Sequence, residues 1–451
     1  MEKRRSGFTG GVGFVLAAAG SAVGLGNLWR FPYLAAQYGG GIFILVYIIL
    51  ALTFGFALMT TEIAIGRKTG LSPILAYGKL HEKFGFLGYI AAIVPIIILP
   101  YYSVIGGWVI KYIFTYSSGG GVEAAGDSYF GAFIGSTSSP LFFFIAFLFI
   151  TLIVVVSGVE KGIEKISKIL MPILLILILI ILFYILTMPG ALAGVKYYLL
   201  PDFSKFSFMT VCVAMGQMFY SMSLAMGIMI TYGSYIGKKV NLGKSVNRIE
   251  FFDTLIALLA GLMVIPVVYM FSGEEGLKSS GPGLMFISLP KIFDQMPGGQ
   301  IIGLLFFILV FFAALTSSVS IMEAIVSSLM DKFKRSRKAA CAITFVISLV
   351  LGIPSSLGFG IWSNIKILGM DFLTFFDYLS NNLLMPVVAL LTCILVGWVI
   401  GTKTISKEVT LNGEIFRRRI VYDVMVKYVA PILLITILIV FSLAQFGLIA
   451  L

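Results

Sequence analysis

The chain has 451 residues, of which 59% are hydrophobic and only 12% are charged. Soluble domains carry about 25% charged residues, so this composition excludes an ordinary soluble protein and favours an integral membrane protein. The net charge of +12 would be compatible with a nucleic-acid partner, but the loop charges described below explain it without one.

Apolar blocks of about 20 residues or more recur along the chain, which is the length that crosses the hydrocarbon core of a bilayer. They predict an all-α integral membrane protein with about eleven transmembrane helices and a single transmembrane domain covering 1–451. The predicted spans, numbered one to eleven, are 8–36, 41–67, 86–116, 140–157, 165–187, 206–236, 251–272, 298–330, 338–357, 371–400 and 427–450.

Loop charges orient the bundle. If the N-terminus lies inside, most lysines and arginines fall in cytoplasmic loops, as the positive-inside rule requires. The outer loops then keep only Lys196, Lys205, Lys278, Lys291 and Lys366. We therefore expect a multi-pass protein of the cell inner membrane, with a cytoplasmic N-terminus, an extracytoplasmic C-terminus and no nucleic-acid partner.

Span one carries Gly20, Gly24 and Gly26 in mid-membrane, followed by Asn27. Glycine permits unwinding, and unwound backbone at membrane depth must line a cavity or be buried in protein. Freed amides attract a carboxylate, and freed carbonyls attract a cation. Close helix packing through small residues is the alternative, but it would not require the adjacent asparagine.

Span six is interrupted in the same way, in the stretch GQMFYSMSLAMG from Gly216 to Gly227. Paired interrupted helices five spans apart are the best sequence indication of an inverted-repeat transporter with a midplane site. We predict a 5+5 inverted repeat with discontinuous helices 1 and 6. Repeat one covers about 8–187, repeat two about 206–400, and an extra helix about 427–450.

The charged residues within or at the ends of spans include Arg30, Glu62, Asp253 and Asp377. Such residues are costly in lipid and are functional candidates by default. Arg30 and Asp377 could equally be ordinary interfacial residues, and Asp253 could snorkel to the inner surface.

Hydroxyl side chains occupy the middle of span eight at Thr316, Ser317 and Ser318. They could simply bond to a carbonyl one turn earlier. Beside freed carbonyls, they could instead complete an oxygen cage for a hard cation, which needs no His or Cys ligand.

Enzyme chemistry is disfavoured by the side chains available. His81 is the only histidine and lies in a charged loop, which argues against a histidine metal site or a Ser/His/Asp hydrolase. The cysteines, Cys212, Cys341 and Cys393, fall in apolar stretches and predict no disulfide framework. We expect no enzyme activity and no organic cofactor.

Several motifs resemble those of the neurotransmitter:sodium symporter family, which has a leucine-transporter-type fold. The most specific is GSAVGLGNLWRFP, Gly20–Pro32, and the resemblance extends over nearly the whole chain. The others, in order, are GGGIFILVY at 39–47, PYYSVIGGW at 100–108, GIEKISKILMP at 162–172, GQMFYSMSLAMGIMITYGSY at 216–235 and AALTSSVSIM at 313–322. The bacterial eleven-span hydrophobic or aromatic amino-acid transporters resemble it most.

The resemblance implies two sodium sites. The first would use the Ala22 carbonyl, Asn27, Ser221 and Asp253, together with the substrate carboxylate. The second would use the carbonyls of Gly20, Val23 and Ala313 with the hydroxyls of Thr316 and Ser317.

The resemblance also implies a substrate site for an apolar L-amino acid. The carboxylate would bind the Leu25 and Gly26 amides and the Tyr102 hydroxyl, and the amino group would face carbonyls of Ala22, Tyr220 and Ser221. The pocket, which also adjoins Gly24, would be lined by Ser21, Ile98, Tyr102, Tyr220, Ser223, Ala225, Met226, Ser317 and Ile321. No charge faces the side chain, so a charged substrate would be unpaired there, whereas Met226 is adaptable enough for aliphatic or aromatic side chains.

Two gates follow from the same resemblance. Outside, Arg30 and Asp377 would pair above Tyr102, Tyr220 and Gln217. Inside, Arg5 and Asp331 would pair near Phe8, Ser234 and Tyr235. The spacing from Gly162 to Pro172 is similar to a segment that unwinds to let water reach the second sodium.

Chloride independence is expected, because Ala257 stands where animal relatives have a serine and Asp253 already supplies negative charge. An alignment shifted by one turn would move Asp253 onto the chloride position, with the same consequence for charge. The overall expectation is a sodium-coupled importer of hydrophobic amino acids working by alternating access. A proton-coupled or exchange transporter of the same architecture, titrating Glu62 or Asp253, is the alternative, and a channel or intramembrane enzyme is a more distant one.

Overall fold

The computed structural model describes residues 7–277 and 281–445. The regular elements of these residues are helices, with only two isolated β-bridges. Within these two ranges, nine helices are long and apolar enough to cross a membrane, and a tenth crossing is the bent pair in span one. If the two helices of span six form one crossing, the described residues contain the eleven that the sequence predicts.

The first half of the bundle closely follows the predicted spans. Span one is Gly11–Ala22 plus Gly26–Gln37, with a bend of 51° between the two helices. Spans two to five are Gly41–Thr69, Glu82–Ser117, Ser138–Val156 and Val159–Leu186. A short helix, Pro73–Leu80, joins spans two and three at the end predicted to face the cytoplasm, called the inner end below, and another, Ala191–Leu199, follows span five at the opposite, outer end.

The second half begins with the split span six, Phe208–Ser221 and Ile228–Ser234. Spans seven to eleven are Leu242–Gly276, Gly299–Phe333, Arg337–Leu357, Phe372–Val399 and Arg419–Gln445. The predicted end of span eleven at 450 lies outside the described residues. An outer helix, Leu289–Gln295, precedes span eight, and an inner one, Lys403–Val409, precedes span eleven.

Span seven begins nine residues earlier than predicted. Its start is fixed by Asn241, whose Oδ1 accepts a hydrogen bond from the Lys244 amide at 2.9 Å, a regular N-cap. Lys244 and Arg248 lie on an exposed stripe of this helix, so a basic run that reads as a loop is in fact helical. Asp253 therefore lies about three turns inside the span rather than near its beginning.

The two broken helices lie at the centre of the packing. The first helix of span one contacts spans five, seven and eight, while the second helix of span six packs against span two. Span three runs along span eight. Backbone that is not helical at mid-membrane is thereby enclosed by protein on every side, as the bilayer requires.

Candidate functional site

The break in span one is a short extended segment. The helix ends at Ala22, Val23 has φ −76° and ψ 88°, and a π-helical turn, Gly26–Arg30, resumes the span. The glycines are dictated by close approach: a Cβ on Gly24 would lie 2.6 Å from Ser317 Oγ, and one on Gly26 would lie 2.5 Å from a ring carbon of Tyr220. The break is thus pressed directly against spans six and eight.

The break in span six is more irregular. Residues 222–227 leave the helical conformation, and positive φ angles occur at Ser223 (54°), Ala225 (60°) and Gly227 (75°). Non-glycine residues rarely adopt this region, so the segment needs support from outside its own backbone. Glu62 of span two gives it: its Oε1 accepts the Ala225 amide at 2.7 Å, and the side chain is fully enclosed.

Asp253 joins the two breaks to span seven. Its Oδ1 accepts hydrogen bonds from Asn27 Nδ2 at 2.8 Å and from Ser221 Oγ at 2.7 Å. Its Oδ2 accepts from the Tyr47 hydroxyl at 3.0 Å. Three of the predicted first-sodium residues therefore meet at one carboxylate with no solvent exposure.

A second group of oxygens lies between span one and span eight. Ser317 Oγ donates to the carbonyl of Ser21 at 2.9 Å and lies 3.4 Å from that of Gly20. Thr316 Oγ1 donates to the Ala313 carbonyl at 3.1 Å. A Cβ on Gly20 would lie 3.3 Å from Thr316 Cβ, so four of the residues assigned to the second sodium site are neighbours. The fifth, Val23, lies in the extended segment one turn after Gly20.

A small cavity, with about 20 Å³ accessible to water, lies between the two oxygen groups. Its wall is mainly apolar, and the hydroxyl-bearing residues in it are two tyrosines and three serines. The lining residues are Ser21, Ala22, Gly24, Leu25, Gly26, Ile98, Tyr102, Tyr220, Ser223, Met226, Ser317 and Ile321. Of the residues assigned to substrate, Ser221 and Ala225 lie next to this wall in sequence but outside it.

The polar groups that line the cavity form hydrogen bonds with one another. The Leu25 amide points to the Tyr102 hydroxyl at 3.4 Å. Ser21 Oγ donates to Ser223 Oγ, and Ser223 Oγ donates to the Ser21 carbonyl, both at 3.0 Å. Hydrogen-bonding groups therefore line the cavity along spans one and six, with the hydroxyls of Tyr102 on span three and Ser317 on span eight, and Ile98, Met226 and Ile321 form its apolar part.

The outer end of the cavity is closed by the predicted gate residues, although the two charges do not touch. The Arg30 guanidinium lies 5.6 Å from the centre of the Tyr220 ring, and Gln217 Nε2 donates to the Gly26 carbonyl at 2.9 Å. Asp377 Oδ1 accepts instead from Asn381 Nδ2 at 2.6 Å.

The inner end is closed by aromatic packing. Phe8 meets the rings of Phe14, Tyr232 and Tyr235 with centroids 5.4 to 6.4 Å apart. Arg5 lies outside the described residues, so its pairing with Asp331 is not seen. Asp331 Oδ2 accepts the Ser72 amide at 2.7 Å.

An inner network that sequence reasoning missed surrounds Glu323 on span eight. The Tyr235 hydroxyl donates to Glu323 Oε1 at 2.6 Å, and Arg337 forms an ion pair with the same carboxylate. The available signal was an acid in the apolar run after Ser320, since a carboxylate at membrane depth is a functional candidate.

Glu164 at the start of span five supports the beginning of span one. Its carboxylate accepts from the amide and hydroxyl of Thr9 and pairs with Lys168 at 2.6 Å. It lies within the π-helical stretch Val159–Glu164, which contains Gly162 of the Gly162–Pro172 spacing. Tyr47, the last residue of the motif at 39–47, was also missed as a site residue, because nothing in the sequence connects it to Asp253.

Comparison with known proteins gives consistent matches. A sequence model described as the Sodium:neurotransmitter symporter family matches residues 5–119 and 133–449. The uncharacterized sodium-dependent transporter YhdH of Bacillus subtilis is 33% identical over 433 residues, covering 94% of this chain and 95% of that protein. The human sodium- and chloride-dependent taurine transporter is 26% identical, covering 86% of this chain and 70% of that protein. The crystal structure of MhsT in complex with L-phenylalanine matches with a TM-score of 0.87 at 34% identity, covering 96% of this chain and 99% of that one.

Proposed function

From its membership of the sodium:neurotransmitter symporter family, we propose that this chain imports hydrophobic amino acids by symport with two sodium ions. The family consists of membrane transporters rather than enzymes. The observation that carries the proposal is the meeting of both helix breaks around a mainly apolar cavity, with Asp253, Asn27 and Ser221 joined beside it. Discontinuous helices at mid-membrane are the usual place for substrate and coupling ions in transporters.

The first sodium is assigned to the Asp253 side of the cavity. Its ligands would be the Asn27 and Ser221 side chains, the Ala22 carbonyl and a carboxylate oxygen of Asp253, all hard oxygen donors suited to an alkali cation. In the structure described here, Asn27 Nδ2 and Ser221 Oγ donate to the carboxylate. The ion would replace these contacts, and the substrate carboxylate would complete its coordination.

The second sodium is assigned to the oxygens of Gly20, Val23, Ala313, Thr316 and Ser317. This site lies between span one and span eight. The Ser317 hydroxyl contacts the Gly20 carbonyl of span one, and the Thr316 hydroxyl contacts the Ala313 carbonyl one turn earlier in span eight. A cation there would hold the first half of span one against span eight. Its loss to the cytoplasm would release that contact.

The substrate is an L-amino acid with an apolar side chain. Its carboxylate would lie at the Leu25 and Gly26 amides near the Tyr102 hydroxyl, and its amino group would face backbone carbonyls of Ala22, Tyr220 and Ser221. A charged side chain would meet the wall of Ile98, Met226 and Ile321 without a partner, which costs several kcal/mol. A relative crystallised with L-phenylalanine supports an apolar substrate.

Alternating access follows from the position of the gates. Substrate and sodium bound between the two breaks would favour closure of Tyr220, Gln217 and Arg30 over the cavity. Opening of the inner end would then separate Phe8 from Tyr232 and Tyr235. Ligands drive these states only through their different affinities for each. The basic loops at this end support a cytoplasmic orientation for it.

Chloride independence is part of the proposal. Asp253 places a permanent carboxylate between Asn27, Ser221 and Tyr47, and Ala257, one turn further along span seven, offers no hydroxyl. The names of some relatives state chloride dependence. A fixed carboxylate offsets the charge of the first sodium and makes an exchangeable anion unnecessary.

Uptake into proteoliposomes tests the proposal. Labelled phenylalanine or leucine should accumulate when sodium is high outside, with choline as the control cation, and should be unaffected when gluconate replaces chloride. Accumulation driven by a pH gradient without sodium would instead establish the proton-coupled alternative. Currents far above transporter turnover would indicate a channel.

A further inference from the structure

A groove opens at the inner end of span seven, far from the substrate cavity. One side is the exposed stripe of span seven, and the other is the segment 415–418 before span eleven. The groove has about 590 Å³ accessible to water. Its lining residues are Phe56, Asn241, Gly243, Lys244, Asn247, Ile415, Phe416, Arg417 and Arg418.

The groove keeps a positive charge after the ion pair between Arg418 and Glu250 is taken into account. Arg418 is committed to Glu250 at 2.7 Å and to Asn247 Oδ1 at 2.5 Å, and it stacks 3.6 Å from the centre of the Phe56 ring. Among the described residues, Lys244 and Arg417 have no acidic partner. Two free cations therefore line a groove whose other arginine is held rigidly in place.

Apolar side chains next to the groove place it at the membrane boundary. Phe251 is 61% exposed and lies one turn beyond Asn247 on the same face of span seven. Ile415 and Ile420 are each 81% exposed, and the exposed face of span eleven continues from Ile420 through Val424. Large apolar groups at that exposure belong in acyl chains, so the cations below them lie at headgroup depth.

We propose that this groove binds the phosphate headgroup of an anionic phospholipid of the inner leaflet. Lys244 and Arg417 would contact the phosphate, and an acyl chain would run along Phe251. Basic pockets between membrane helices on the cytoplasmic side suit such headgroups. A soluble phosphate would satisfy the cations but would leave Ile415, Ile420 and Phe251 exposed, which favours the lipid.

The test is native mass spectrometry of the purified, delipidated transporter with added phosphatidylglycerol, phosphatidylcholine or inorganic phosphate. We expect retention of phosphatidylglycerol over phosphatidylcholine. The Lys244→Gln/Arg417→Gln double variant should weaken phosphatidylglycerol binding by about 30-fold, given the usual contribution of each cation near an anionic surface. The Lys244→Arg/Arg417→Lys variant should retain it.

The matched control is Lys83→Gln/Lys338→Gln, which removes the same charge from exposed positions elsewhere at this end of the bundle. It should bind phosphatidylglycerol like the unchanged protein. Equal loss in both double variants, equal binding of phosphatidylcholine, or displacement of the lipid by millimolar phosphate would each overturn the proposal. If the first double variant is unstable, Arg417→Gln alone, in an exposed loop, should still weaken binding several-fold.

Discussion

Glu62 and Ala225 are joined across the membrane core: the carboxylate of one accepts the backbone amide of the other at 2.7 Å, where Ala225 has a φ of 60°. The Glu62 side chain of span two thereby supplies the hydrogen-bond acceptor for a backbone amide in the unwound part of span six. The irregular segment that faces the substrate cavity is consequently held by a helix that does not itself line it.

Removing the Glu62 acceptor should loosen the span six break. Glu62→Ala leaves a buried amide unpaired, which costs about 1–3 kcal/mol, so the melting temperature and substrate affinity should both fall. Glu62→Gln keeps an acceptor oxygen and should have a much smaller effect in thermal-shift and radioligand measurements. Loss of ion coupling in Glu62→Gln with unchanged stability would instead indicate that this carboxyl carries a coupled proton.

Ala225 is expected to be mildly strained. An L-residue in the left-handed region costs about 1–2 kcal/mol, which glycine avoids at the expense of its greater unfolded-state entropy. Ala225→Gly should therefore raise the melting temperature or leave it unchanged. The same change at Ala260, buried in regular helix of span seven, should lower it, since glycine costs about 1 kcal/mol there. Equal destabilisation by both would contradict the strain.

Asp253→Asn should create a requirement for chloride. The amide can keep the contacts with Asn27 and Ser221 but removes the negative charge beside the proposed first sodium site, so sodium affinity should fall at least about tenfold in chloride-free buffer. Chloride should restore part of the loss in sodium-dependent binding assays. Glu250→Gln, one turn away and paired with Arg418, removes a similar charge and should produce no chloride dependence.

Gly24→Ala should abolish substrate binding. Its Cβ would lie 2.6 Å from Ser317 Oγ and 3.1 Å from the Tyr102 hydroxyl, so the span one break would separate from span eight. Gly131→Ala, in an outer helix where a Cβ meets nothing within 4 Å, is the control and should bind normally. Retained sodium and substrate affinity in Gly24→Ala would show that the two spans need not approach this closely.

Glu164→Gln should loosen the beginning of span one. The carboxylate holds both the amide and the hydroxyl of Thr9, and a neutral amide loses the charge that strengthens these bonds. Hydrogen exchange in peptides covering residues 8–14 should accelerate. Lys168→Gln removes only the half-exposed lysine that pairs with Glu164. Such an exposed ion pair contributes little to stability, so hydrogen exchange in residues 8–14 should hardly change in this variant.

Periodicity and hydropathy predicted the helices because membrane spans must be continuously apolar. They misplaced the start of span seven because Lys244 and Arg248 occupy the exposed face of a helix that continues beyond the hydrocarbon. The helix begins at the N-cap Asn241, but this one local contact is a weaker indication in the sequence than the basic residues that follow it, which predict a loop.

The glycines of span one and the hydroxyls of span eight were singled out from the sequence pattern, whereas lining residues such as Ile98 and Met226 were expected only from the family resemblance. The contacts that support them were not predicted, since Tyr47 and Glu62 reach partners on spans seven and six. Such pairings depend on how helices pack in three dimensions, and a single sequence carries no record of them. Glu323 and Arg337 were missed for the same reason, although the acid in an apolar run was visible.

The two oxygens of Asp253 face different neighbours, Asn27 and Ser221 on one side and Tyr47 on the other. Because this negative charge is part of the protein, it does not cross the membrane with the cargo. A cycle that carries two sodium ions with a zwitterionic amino acid would then be electrogenic, moving two net positive charges inward. Each is worth about 2.3 kcal/mol per 100 mV, so the membrane potential would power accumulation alongside the sodium gradient.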